Sequence, residues 1–166
     1  MKNFITLLIF ILLSSNLFAA GSDSSGSSGG GEDVSKSNYK QAVSLIKRAG
    51  KLEKKDKTDK AKKLYSQAFN KLEKAHKSDK KNPDILNYMG FTTRKAGNFD
   101  QAEKYYLKGL SIKPNHNGIN EYLGELYVQT NRIDKANERL EVLKGCNCEE
   151  YGELELIIKT RGSKIY

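Results

Sequence analysis

Apolar side chains recur along this chain at helical intervals. Ala61, Leu64, Tyr65, Ala68, Phe69, Leu72 and Ala75 follow one another at steps of three and one, so they share one face of a helix with 3.6 residues per turn. This predicts a single long helix from Thr58 to Ser78. Leu86, Met89, Gly90 and Thr93 mark a second stripe, introduced by Asn82-Pro83, where a side-chain cap precedes a ring whose missing N–H is not needed in the first turn. Tyr151, Leu154 and Ile158, at steps of three and four, predict a last helix over Glu149 to Lys159. Glu149 and Glu150 stand in its first turn, where the helix dipole favours negative charge.

The stripes are related to one another. Sliding the chain by 34 residues aligns Met89-Gly90 with Leu123-Gly124, Asp100 and Ala102 with Asp134 and Ala136, and Tyr106 with Leu140. A fixed period of that length means stacked helical hairpins. Gly90 and Gly124 are expected to let the two helices of each hairpin approach closely, Ala102 and Ala136 to face them, and Phe99 and Ile133 to plug the turns. An earlier copy is offset, because Ala61, Tyr65 and Ala68 match Ala102, Tyr106 and Gly109 at a spacing of 41. The seven extra residues make almost two helical turns, so an insertion of that length rotates the rest of the helix by only about 20° and keeps its apolar face inward.

Leu86-x-x-Met89-Gly90, Gly97-Asn98-Phe99, Ala102, Tyr106 and Pro114, in this spacing, resemble a tetratricopeptide repeat; Leu123-Gly124, Tyr127, Ala136 and Leu140 repeat it more loosely. Asn38 to Ser78 resembles it weakly, with Ala49 where the glycine is expected. The resemblance implies an all-α fold, a short right-handed solenoid of three helical hairpins with a C-terminal capping helix over residues 38–166. It also implies a non-catalytic protein-binding scaffold of the kind bacteria export to the envelope.

The N-terminus carries a different signal. Lys2, an apolar run from Phe4 to Leu13 and the small residues Ala19 and Ala20 read as a secretory signal over residues 1–20, cut after Ala19. Its apolar run is shorter than the roughly 20 residues that span a bilayer, and no later stretch is long enough, so no transmembrane segment is expected in the mature chain. The expected location is the periplasm or the extracellular space. Five glycines, five serines and one aspartate over residues 21–31 have nothing to bury, and residues 21–37 are expected to form a disordered leader.

Composition narrows the chemistry. A chain of 166 residues with 29 Lys+Arg, 20 Asp+Glu and two prolines leaves room for one modest domain and argues against a sandwich or barrel. His76 and His116 have no third donor at ligand spacing, and no Gly-x-Ser-x-Gly turn is present, so neither catalysis, a metal nor a cofactor is expected. Cys146 and Cys148 are the only thiols. In an exported chain a disulfide is expected between them; soft-metal capture, such as Cu(I), and a redox role are the alternatives. Residues 36–81 hold 16 Lys/Arg and five Asp/Glu, a net of +11, while residues 82–166 hold 12 of each. Such a run is usually a solvated face, but it also suits docking to anionic envelope surfaces. Export and the lack of interleaved aromatic residues disfavour nucleic acid.

A binding face follows from register. The stripe displaced by one residue from the packing stripe looks into the concave side, and it contains Asn87, Phe91, Arg94 and Lys95 in the central hairpin. The third hairpin contributes Glu121, Glu125, Val128 and Gln129, and the first Ile46, Gly50, Glu53 and Lys54. Phe91 is either an anchor pocket for a partner side chain, with Arg94 for a carboxylate and the glutamates for a basic group, or is buried under a neighbouring helix. Some tetratricopeptide proteins grip a peptide C-terminus with Lys and Asn on this face, and the glutamates depart from that pattern. The expected function is a protein or peptide-binding adaptor of the envelope.

Overall fold

The computed structural model describes residues 30–163; the expected signal and the first part of the expected leader, residues 1–29, lie outside them. Seven helices and no strand occur among the described residues: α1 (Gly30–Glu53), α2 (Thr58–Ser78), α3 (Pro83–Lys95), α4 (Phe99–Ile112), α5 (Asn117–Gln129), α6 (Ile133–Leu143) and α7 (Glu149–Lys159). They pair as three antiparallel hairpins, α1–α2, α3–α4 and α5–α6, each packed on the next, with α7 closing the stack against α5 and α6. This is the all-α repeat architecture expected of the 34-residue period.

The repeat is visible in the backbone itself. Between α3 and α4, Asn98 N–H donates to the Thr93 carbonyl and Gly97 N–H to Arg94, with Gly97 at φ +86°. Thirty-four residues on, Arg132 donates to Tyr127 and Asn131 to Val128, with Asn131 at φ +58°. Forty-one residues back, Lys57 donates to Leu52 and Asp56 to Glu53, with Asp56 at φ +55°. A left-handed residue after the helix end lets its own N–H and the next one reach carbonyls that would otherwise be orphaned, and Asn, Asp and Gly are the residues that tolerate it. The starts of α3, α4 and α5 are capped by side chains. Asn82 accepts from the backbone of Asp84 and Ile85, Asn98 from Gln101, and His116, through Nδ1, from Ile119.

The first hairpin is the long one, and it corrects the expected leader. Helix α2 buries Ala61, Tyr65, Ala68, Leu72 and Ala75, so its last two turns need a partner surface. Helix α1 supplies it by starting at Gly30, ahead of the expected Asn38. Ser35 is buried there and its hydroxyl donates to the Ala75 carbonyl at 3.2 Å. The start of α1 thus packs beside the end of α2, which the seven extra residues lengthen.

The two repeat glycines accept different side chains. A methyl group built on Gly90 would collide with the ring of Tyr106, fully buried on α4: the close approach within the hairpin is the expected one, but the residue that meets the glycine is Tyr106 rather than Ala102. One built on Gly124 would instead meet the end of Leu154, 2.5 Å from Cδ2, on α7. The residue that meets Gly124 is therefore supplied by the closing helix rather than by α6, where Leu140, at the register of Tyr106, is half-buried. On α7 the fully buried residues are Leu154 and Ile157, with Ile158 only half-buried.

Candidate functional site

The inner faces of α1, α3 and α5 and the edge of α7 enclose a groove of about 600 Å³. Three aromatic rings form its floor. Phe91 on α3 lies between Tyr122 on α5, with centroids 5.1 Å apart, and Tyr65 on α2, which meets it edge-on at 5.8 Å. Edge and tilted contacts of this kind hold rings in place beyond what area burial alone provides. Phe91 is half-buried, so it packs on the first core cluster with one side and lines the groove with the other. Both readings of Phe91 from sequence thus describe part of its surface.

Across from it, α1 carries Gly50, at the register position of Phe91 shifted by 41. Nothing lies within 4 Å of a methyl group built there, so the absence of a side chain leaves the groove open. Ile46, Glu53 and Lys54 line the same wall. Lys95 on α3 reaches over to Glu53, Nζ to Oε2 2.8 Å, and its ammonium stands 5.6 Å from the Tyr65 ring. The Tyr65 hydroxyl donates to the same Glu53 carboxylate at 2.8 Å, and burial together with that carboxylate pushes the phenol up from its ordinary pKa.

The opposite wall is acidic. Glu121 and Glu125 on α5 and Glu153 on α7 line it. Arg94, 3% exposed, lies beneath and forms an ion pair with Glu125, while its Nη1 donates to Gln129 at 3.2 Å. Burial lowers the Arg94 pKa and the Glu125 carboxylate raises it, and the net direction is up. Burial likewise pushes Glu125 up, and Arg94 pulls it back. Glu121, 4% exposed, has no such cation; burial first, then a hydrogen bond with the Glu153 carboxyl and the charge of Glu125, push its carboxyl up to about 10, so it holds a proton at neutral pH.

Of the expected binding residues, the structure brings Phe91, Lys95, Glu121 and Glu125 to one groove. Three others are corrected. Arg94 is consumed by Glu125 and is not open to a partner carboxylate. Asn87, 6% exposed, is turned toward α5, where its amide would sit 3.0 Å from a methyl group on Gly118. Val128 is buried in the second core cluster. The α3 and α5 faces press against each other at these positions, so a residue one step from the packing stripe is covered by the neighbouring hairpin. Tyr65, Tyr122 and Glu153 were missed. Tyr65 counts as a packing residue in the repeat pattern, Tyr122 lies two steps off the packing stripe, and only the docking of α7 brings Glu153 in.

Elsewhere, Cys146 and Cys148 are joined in the loop before α7, with Cα atoms 5.2 Å apart. His76 accepts, through Nε2, from the Lys108 ammonium at 3.2 Å, and burial and that ammonium hold its pKa low. His116 Nε2 lies 3.0 Å from Asp84, tying the start of α5 to the start of α3. No described helix is long and apolar enough to cross a membrane.

Residues 89–116 match the sequence model of the tetratricopeptide repeat. No curated protein matches the chain. Among solved structures, it is similar to the first tetratricopeptide domain of Spaghetti (RPAP3) bound to an HSP90 peptide, with 20% identity over 75% of this chain and 96% of that one and a TM-score of 0.46. The Arabidopsis OM64 tetratricopeptide domain is similar at 15% identity, over 74% of this chain and 98% of that one, with a TM-score of 0.48. The Yersinia enterocolitica type III secretion chaperone SycD in complex with a peptide of the translocator YopD is similar at 16% identity, over 72% and 88%, with a TM-score of 0.45.

Proposed function

We propose that this chain, whose residues 89–116 match the tetratricopeptide repeat, is a non-catalytic interaction scaffold of the bacterial envelope, exported by residues 1–20, which holds an extended segment of another protein in the groove between α1, α3, α5 and α7. The observation that carries this reading is the floor of that groove: Phe91 presents a ring, braced by Tyr65 and Tyr122, to an open space that Gly50 leaves unfilled. A rigid, half-buried aromatic in a concavity is what partner side chains anchor on. The export part rests on the N-terminal pattern of Lys2, the apolar run and Ala19.

Gly50→Phe tests the groove. The new ring has room, and replacing a helix-interior glycine stabilises the helix by up to about 1 kcal/mol, so the fold is kept while the groove is filled. A partner captured from the native envelope by the wild-type protein should be lost with Gly50→Phe. Retention of that partner at unchanged affinity would remove the groove from the reading.

A second reading is favoured by charge. The first hairpin region, residues 36–81, carries 16 basic against five acidic residues, which suits docking on anionic envelope surfaces. Binding of that kind falls steeply between low and physiological ionic strength, whereas groove binding anchored on Phe91 changes little.

A further inference from the structure

The groove can be balanced charge by charge. Its lining and underside hold three cations: Lys95 is taken by Glu53, Arg94 by Glu125, and Lys54 stands exposed on the far wall of α1. Among the described residues, neither Glu121 nor Glu153 has a cation within ion-pair distance, although both face the groove. Glu121 is nine-tenths buried, lines a cavity with an aromatic floor and is hydrogen-bonded to the Glu153 carboxyl. Two carboxyls that share one proton keep a negative charge at the groove, and no cation among the described residues neutralises it.

We propose that Glu121 and Glu153 together receive a cationic side chain, arginine or lysine, of the partner segment, while an adjoining apolar residue of that segment rests on Phe91 and Tyr122. This deepens the groove reading above and rests on it. A guanidinium suits the site well, because its fork of N–H donors can serve two carboxylates and its flat face tolerates the neighbouring rings.

The site has a signature that a merely apolar groove would lack. In the free protein the buried carboxyl of Glu121 holds a proton, through burial, Glu153, and the charges of Glu125 and Glu150. The groups facing it from the other elements are Arg94 and Lys95 on α3, both committed to carboxylates, and Tyr122 beside it, whose hydroxyl burial pushes up out of the physiological range. On the far wall, Glu53 on α1 and Tyr65 on α2 bond each other, and Lys54 is exposed. Of these groups Glu121 is the one poised to give up a proton when a cation arrives, so binding near pH 7 should release about one proton.

The test is a random twelve-residue peptide display library selected on the protein, followed by titration of the strongest synthetic peptide. We expect selected peptides rich in Arg or Lys beside an apolar residue. Replacing that Arg by citrulline, or that Lys by norleucine, should weaken binding tenfold or more. Glu121→Gln, which mimics the protonated carboxyl and keeps the fold, and Glu153→Gln at an exposed position should each remove most of that difference. Calorimetry in two buffers of different ionisation enthalpy should show the proton release for wild type and not for Glu121→Gln. If peptides are lost on Gly50→Phe but neither the neutral replacement nor Glu121→Gln changes affinity by more than twofold, the cation site is wrong and the groove stands. If the selected peptides are indifferent to Gly50→Phe, or none is selected, both fall.

Discussion

The central and third hairpins carry the same glycine at the same place, yet they are completed differently. In the central one Gly90 admits Tyr106 from its own second helix, so the hairpin is locked by residues 16 apart in one repeat. In the third, Gly124 admits Leu154 from the helix that follows. A repeat glycine specifies a close approach and leaves open which helix makes it. The difference also reaches the groove. At the register of Asn87 and Phe91 the third hairpin has Glu121 and Glu125, and because α7 must come close enough to fill the gap at Gly124, it brings Glu153 alongside them.

The comparison breaks most decisively at Leu154. Leu154→Ala should cost about 3 kcal/mol in denaturant unfolding, as a fully buried leucine does when its space cannot collapse, while Leu140→Ala, half-buried, should cost about 1 kcal/mol. Equal losses would mean that the third hairpin is locked from within after all.

Acid titration sharpens it next. The carboxyl of Glu121 ionises near its usual 4.5 once unfolded but only near 10 in the fold, so its protonated form favours folding. Its contribution is fully present below about pH 4.5 and is lost as pH rises toward 10, by up to about 1.4 kcal/mol per pH unit. Glu121→Gln, which cannot ionise, should therefore be more stable than wild type at pH 8, and the gap should close by pH 5. A gap that is constant with pH would place Glu121 in water.

Substitution of the glycines themselves gives a smaller contrast. Gly90→Ala forces apart a helix and a fully buried ring and should cost about 2–3 kcal/mol, whereas Gly124→Ala meets the movable end of Leu154 and should cost about 1 kcal/mol. Combining Gly124→Ala with Leu154→Ala should cost less than the two losses added, since the new methyl occupies part of the space vacated; strict additivity would show that the two residues do not share a gap.

The smallest expected effect lies on the floor of the groove. Phe91→Ala removes a half-buried ring and should lower stability by about 1–2 kcal/mol, within the range of a partial burial, while weakening selected peptides by about 2 kcal/mol or more. Equal damage to stability and none to binding would make Phe91 a core residue only.

Much of the architecture was legible because it is local. The stripe through Ala61, Tyr65, Ala68 and Leu72 marks α2 from Thr58 to Ser78, and Asn82-Pro83 marks the start of α3, since periodicity and capping depend on neighbours a turn away. The site was legible in part. Phe91, Lys95, Glu121 and Glu125 follow from the offset between packing and inner stripes. Arg94, Asn87 and Val128 share that offset and are nonetheless covered, because the stripe says which way a side chain leaves its helix and not how near the next hairpin stands. The early start of α1 was hidden for a related reason: glycine and serine contribute little helical preference of their own, and the pull comes from the uncovered end of α2.

The sequence by itself determined the helices, their 34-residue period with its seven-residue excess, and the concentration of positive charge in the first hairpin, because each is a property of residues near one another along the chain. Only the tertiary structure decided that α7 fills the space at Gly124, that Arg94 is consumed by Glu125, and that Glu121 and Glu153 face one groove without a cation between them. Those outcomes depend on distances between helices, which residues near one another along the chain do not fix.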